Sequence, residues 1–188
     1  MFIPENVYIP RGRLTIGRGD VLGKGMSSVV RLGTFGKTKV AIKHMPLQII
    51  EIENGDKPQF LRECDILFNT QHPRICRLYG FSYDSYWFLM VQEWCRGGDL
   101  REAIVQVPDV VEQRACDFMV EVTSALDHIH RQQIVHRDIK PENVLLSSED
   151  MSVARCKGVC MCLGGGERIG GGGSCCIRSF VNWRVIGK

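Results

Sequence analysis

The stretch His136-Arg137-Asp138-Ile139-Lys140-Pro141-Glu142-Asn143 sets a carboxylate, an ammonium group and a carboxamide at fixed separation. Asp138 is suited to accept the proton of an attacking hydroxyl, and Lys140 to neutralise charge growing on a phosphoryl group in transfer. Asn143 offers an amide oxygen to a magnesium ion. An ordinary charged loop would contain the same residue types, but not this eight-residue order. Two further groups point to phosphate chemistry. Val40-Ala41-Ile42-Lys43 puts a lysine inside an apolar strand, either as a solvated surface residue or as a buried ammonium that needs a carboxylate partner. Glu63, in the first half of a helical stretch, is the candidate partner. Upstream, Gly23-Lys24-Gly25-Met26-Ser27-Ser28-Val29-Val30 sits where a strand turns back on the next. Gly23 and Gly25 lack side chains, so backbone N–H groups there can approach phosphate oxygens; a plain hairpin explains the same glycines equally well.

The elements that must position these groups follow from periodicity. Five strands are predicted, over Leu14 to Asp20, Ser28 to Thr34, Lys39 to His44, Leu78 to Tyr83 and Trp87 to Val91, rich in Val, Ile and aromatics and punctuated by Gly33, Gly36 and Gly80. Together they make one antiparallel sheet. Between the third and fourth, Phe60, Leu61, Cys64, Leu67 and Phe68 recur at helical spacing after Pro58 and stop before Pro73, so one helix packs on that sheet. Past Gly97 and Gly98, Asp99 stands as N-cap for a short helix from Leu100 to about Val105. A longer helix then carries an apolar stripe through Ala115, Phe118, Met119, Val122, Ala125, Leu126 and Ile129. The loop with Asp138 lies between that helix and a short apolar strand.

The 188 residues are 44% hydrophobic and 24% charged, enough for one core or for two small lobes. A formal charge of +3, with no basic face interleaved with aromatics, argues against a nucleic-acid partner. The first ten residues show no secretory signal pattern, and no apolar run approaches the roughly 20 residues of a membrane span. A cytoplasmic protein is the expectation. Of nine cysteines, Cys64, Cys76, Cys95 and Cys116 sit singly in apolar or mixed segments, as buried free thiols do. The other five crowd into Cys156, Cys160, Cys162, Cys175 and Cys176, marking a boundary.

In this order, from residue 14 to 154, the motifs resemble the protein kinase family, whose third loop glycine is replaced here by Ser28. The resemblance implies an α+β fold: residues 14–92 as an N-terminal lobe with a five-stranded antiparallel sheet and one helix, 93–98 as a hinge, and 99–154 as a partial helical C-terminal lobe, preceded by an extension over 1–13. It implies ATP and Mg2+ as cofactors and a protein as substrate. Gly23, Gly25 and Val30 would cover the phosphates, Ala41 would touch the adenine, Lys43 would hold the α- and β-phosphates, and Glu63 would anchor Lys43. Gln92 stands at the gatekeeper position. The backbone of Glu93 and Cys95 would meet the adenine edge, with Leu145 closing its site from below. Asp138, Lys140 and Asn143 keep the catalytic roles given above, Asn143 as the metal ligand. Lys140 after the catalytic aspartate is similar to serine/threonine kinases rather than tyrosine kinases.

The pattern then breaks. The family continues with a short hairpin and Asp-Phe-Gly, whose aspartate binds magnesium, and that slot reads Cys156-Lys157-Gly158 here. No aspartate follows Asp150, and Glu167 is the only carboxylate side chain left in the tail. Phosphoryl transfer is therefore expected to be impaired, with a nucleotide-binding pseudokinase or a decoy module as the alternative. Glycine density over residues 155–188 leads us to expect a mostly unfolded Gly/Cys-rich tail. It reads either as translated non-coding sequence joined to a kinase front or, less consistently with the spacing of its cysteines, as a zinc site. Without the family's remaining helices, the long helix is expected to show apolar surface that invites a partner.

Overall fold

The structure, a computed structural model, describes residues 7–24, 28–47, 68–134, 136 and 139–158. They fall into two units, one holding the chain up to Asn69 together with Arg77–Trp94, the other Thr70–Cys76 and the chain from Cys95. The first unit is built on strands β1 (Leu14–Lys24), β2 (Val29–Phe35), β3 (Thr38–Pro46), β4 (Leu78–Tyr83) and β5 (Trp87–Glu93). These form the expected five-stranded antiparallel sheet, in the order β1-β2-β3-β5-β4. Each expected strand is present, several of them two to four residues longer. Phe35 pairs with Thr38 across a two-residue turn, and Gly36 at its first position has φ 61°, which suits the tight turns that join twisted strands. On one face of the sheet Val40, Ile42, Leu89 and Val91, each no more than marginally exposed, pack with Leu14 and Ile9.

The far edge, β4, is covered by residues of the N-terminal extension. The Phe81 amide donates to the Val7 carbonyl at 2.8 Å and the Ile9 amide to the Phe81 carbonyl at 2.6 Å, so Tyr8 bridges Phe81 in the parallel sense. Val7 and Ile9 are buried as a result. Pairing removes an open edge, a liability in any sheet. Gly80 makes it possible: its φ is 148° and a Cβ there would lie 2.4 Å from the Val7 carbonyl oxygen. Of the helix expected after Pro58, Phe60, Leu61, Cys64 and Leu67 lie outside the described residues, and 68–69 are helical.

The second unit holds helices α1 (Leu100–Gln106), α2 (Pro108–Gln113) and α3 (Ala115–Arg131), then strands β6 (Val144–Leu146) and β7 (Cys156–Gly158). Asp99 caps α1 as expected, its carboxylate accepting from the Glu102 amide at 2.8 Å. The short helix α2 has no counterpart in the periodicity reading; Pro108 opens it, where a missing N–H costs nothing.

Two expectations are corrected here. Cys156–Gly158 is not the position beyond the hairpin but the hairpin's second strand, with Val144 opposite Gly158 and Leu146 opposite Cys156. The ordered chain thus passes the expected boundary at residue 154, because Ala154 and Cys156 are apolar enough to enter the core. The rest of the tail, with Cys160, Cys162, Cys175 and Cys176, lies outside the described residues. The stripe on α3, expected to be bare, is mostly covered from within. Phe118 and Val122 pack with Ala103, Val111, Val144, Leu146, Ala154 and Cys156, and Ala125 and Ile129 are fully buried. Met119, at 65% exposed, remains open, beside Val120 at 69%. No helix among the described residues is long and apolar enough to cross a membrane.

Candidate nucleotide and phosphoryl-transfer residues

Strand register decides which side chains of the first unit share a surface. Successive residues alternate faces and directly opposed residues share one. Lys43 stands opposite Val30 on β2 and Met90 on β5, and Ala41 opposite Leu32 and Gln92. Gly23 on β1 stands opposite Val30. The sheet therefore gathers Gly23, Val30, Ala41 and Lys43 on one face, with Gln92 beside Ala41. Val40 and Ile42, one residue out of step, take the opposite face. The two faces differ in chemistry, one closed by aliphatic packing and the other carrying a lysine that is only 6% exposed. Gly25 and Glu63 lie outside the described residues.

At the end of β5 the chain is tied by its backbone. The Glu93 amide donates to the Arg77 carbonyl at 2.8 Å, and the Glu93 carboxylate accepts from the Arg77 amide at 3.2 Å. Lys39 Nζ sits 5.3 Å from the Trp94 ring centroid, a cation–π contact on the next residue. These bonds hold both the backbone and the side chain of Glu93 to Arg77.

In the second unit, the segment from Cys95 docks on the β6 strand. The Gly97 amide donates to the Leu146 carbonyl and the Leu146 amide to the Gly98 carbonyl, both at 2.9 Å, and Asp99 bridges Leu145. Gly97 is required by proximity, since a Cβ would lie 2.2 Å from the Ser148 carbonyl oxygen. Leu145 alternates with the core residues Val144 and Leu146 and is half-buried. Just before β6, Pro141–Asn143 form one 3-10 turn, closed by the Asn143 amide donating to the Lys140 carbonyl at 2.9 Å. Asn143 is 1% exposed and His136 2%. A buried carboxamide calls for hydrogen-bond partners. Arg101 on α1 grips Glu142 at 3.0 Å and steadies the turn from outside. Asp138 and Arg137 lie outside the described residues, and Lys140 is described at the start of the turn.

One residue that holds this unit together was not singled out from the sequence. Glu121 on α3 is 5% exposed. Its carboxylate accepts from the Cys156 amide at 2.7 Å and Arg155 Nη1 at 3.0 Å, and pairs with Arg74 Nη2 at 3.2 Å. The available signal was a glutamate inside the apolar stripe, three residues after Phe118 and four before Ala125. Burial, then the neighbouring Glu121 charge, push the Cys156 thiol up to about 12, which makes it a poor thiolate donor for the zinc reading. Among the described residues no group of three or more His, Cys, Asp or Glu could hold a metal ion. Arg114 supports the chain between β6 and β7, donating to the Met151 carbonyl and, at 2.8 Å, to the Ala154 carbonyl.

The protein kinase domain profile matches residues 17–157. Among curated proteins the chain is similar to a probable myosin light chain kinase of Dictyostelium discoideum, 34% identical over 134 residues, 70% of this chain and 34% of the relative. It is similar to Aurora/IPL1-related protein kinase 2 of Caenorhabditis elegans, 32% identical over 154 residues, 77% of this chain and 50% of the relative. It is also similar to Aurora kinase B of Mus musculus, 36% identical over 130 residues, 68% of this chain and 37% of the relative. The chain thus spans a third to a half of the length of these relatives. Among solved structures, Rad53 1-466 in complex with AMP-PNP superposes with a TM-score of 0.64 at 28% identity, covering 79% of this chain and 38% of that one. The register that puts Lys43 beside Val30 and Ala41, the buried Asn143 and this profile lead to one assignment: the chain belongs to the protein kinase domain family.

Proposed function

We propose that this chain binds ATP through its strand-rich unit, as a member of the serine/threonine branch of the family acting on protein hydroxyls, and that its phosphate transfer is impaired. The observation that carries the reading is the shared sheet face of Gly23, Val30, Ala41 and Lys43. An aliphatic and glycine surface next to one buried ammonium suits a flat apolar base attached to a string of phosphates. In this reading Lys43 holds the α- and β-phosphates with Glu63 as its counter-charge, Gly25 covers them, and the backbone at Glu93 and Cys95 meets the adenine edge over Leu145. Asp138 orients the acceptor hydroxyl and takes its proton, and Lys140 offsets charge on the moving phosphoryl group. The cytoplasm, where ATP is plentiful, is the proposed location.

Magnesium, when bound, would neutralise the charge that develops in phosphoryl transfer. Asn143 fits one place in such a site as a hard oxygen donor on a buried side chain. The aspartate that would complete it has no equivalent, since no aspartate follows Asp150. Losing that ligand lowers turnover by several orders of magnitude, which makes a nucleotide-binding pseudokinase or decoy module without transfer the second reading.

Thermal unfolding with ATP, with and without magnesium, tests both. At ATP concentrations about tenfold above Kd, binding stabilises the folded state by roughly 1.4 kcal/mol, a rise of a few degrees. Lys43→Met is expected to abolish the rise. No shift at millimolar ATP refutes nucleotide binding, and phosphorylation of casein at ordinary kinase rates refutes the proposed impairment.

A further inference from the structure

Two thiols stand together at the points where the chain passes from one unit to the other. Cys76 is the last residue of the Thr70–Cys76 segment before Arg77 enters the strand-rich unit, and Cys95 is the first residue after Trp94 leaves it. Their sulfurs lie 3.3 Å apart across 19 residues of sequence, and both side chains are buried. Their relative exposures are 7% and 9%. A disulfide needs sulfurs at about 2.05 Å, so closure requires an approach of about 1.2 Å from the observed 3.3 Å. The loop so closed contains β4 and β5 whole.

We propose that Cys76 and Cys95 form an oxidation site for a small hydroperoxide such as hydrogen peroxide. One thiolate attacks the peroxide; an S–O bond forms, the O–O bond breaks, and the departing hydroxide leaves as water with the thiol proton. The second thiolate then attacks the sulfenic sulfur; the S–S bond forms, the S–O bond breaks, and a second water leaves. Two electrons pass from the sulfurs to the peroxide, and a dithiol reductant reverses the change. Proximity favours this second step over further oxidation of the first sulfur. The bond would tie the two unit crossings together and immobilise the backbone at Glu93 and Cys95. A consequence for nucleotide binding follows only where the reading in the preceding section holds.

Peptide mapping of the full chain after mild peroxide treatment tests the site. Tryptic cleavage after Arg74, Arg77 and Arg96 is expected to release residues 75–77 joined to 78–96, about 2 Da lighter than the two reduced peptides together, and separable by reductant. Cys95→Ser is expected to remove that species while leaving oxidation of exposed Cys116 unchanged. Independent sulfinic oxidation of Cys76 and Cys95, or pairing of either with a tail cysteine, overturns the proposal. In the oxidised chain the ATP-induced rise in unfolding temperature is expected to change at least twofold. An equal rise in both redox states removes the regulatory consequence. No rise in the reduced chain counts instead against nucleotide binding, and the joined peptides remain as evidence for the site.

Discussion

Replacing Glu121 by alanine should open the hairpin of β6 and β7 from α3, and the geometry sets the size of the effect. The carboxylate serves three donors: the Cys156 amide at 2.7 Å, Arg155 at 3.0 Å and Arg74 at 3.2 Å. The amide belongs to a residue with no exposed surface, so losing its acceptor costs about 1–3 kcal/mol. The Arg155 side chain is 57% exposed and regains water, so its loss contributes little. Arg74, at 26%, lies between these extremes and adds about 1 kcal/mol. The total is about 3 kcal/mol, which raises the open population roughly 100-fold. Cys156 reports on it directly because its thiol is reachable only from the open form. Iodoacetamide labelling of Cys156, followed by peptide mapping under native conditions, should therefore run about 100-fold faster in Glu121→Ala. Glu121→Gln keeps an amide oxygen for the Cys156 amide and should give a smaller acceleration, of about tenfold. Labelling of Cys156 in Glu121→Ala at the native rate would refute the claim that this carboxylate closes the unit.

Further expectations rest on separate contacts. The thiol of Cys156 ionises in the unfolded chain near 9.0 and in the folded chain only near about 12, so the folded state retains its proton longer. Its contribution to stability is complete below pH 9 and is lost as pH rises from there towards 12, and denaturant midpoints should fall in that window, less so in Cys156→Ala. Gly80→Ala brings a Cβ to 2.4 Å from the Val7 carbonyl oxygen at a φ of 148°; it should release the Val7–Ile9 segment at a cost of about 2 kcal/mol, seen as faster trypsin cleavage at Arg11 and Arg13. Unchanged cleavage would show that the segment tolerates the clash. Gly97→Ala places a Cβ 2.2 Å from the Ser148 carbonyl oxygen; it should weaken the two hydrogen bonds to Leu146 and accelerate hydrogen exchange at the Gly97 and Leu146 amides by more than tenfold. Native exchange rates at both amides would remove the role given to Gly97.

The sequence by itself settled the elements whose signal is local. Alternation of Val, Ile and aromatics placed all five strands, because successive residues of a strand point to opposite faces, most plainly in β3, β4 and β5, which bury the most. Asp99 announced the start of α1, since an N-cap acts on an amide three residues away. Eight residues from His136 to Asn143 pointed to the family because their order is a local property of one loop. What the sequence could not supply were pairings between distant segments. Register alone put Gly23, Val30, Ala41 and Lys43 on one face, and a slip of one residue in any strand would have turned its side chains away. The short β7 strand reads as tail in the sequence because three residues carry no period; only hydrogen bonding to β6 and burial against α3 make Cys156–Gly158 a strand. Glu121 was passed over for a related reason: a lone glutamate in an apolar stripe looks like an error of pattern until Arg74, Arg155 and the Cys156 amide, from remote parts of the chain, are brought to it by the fold.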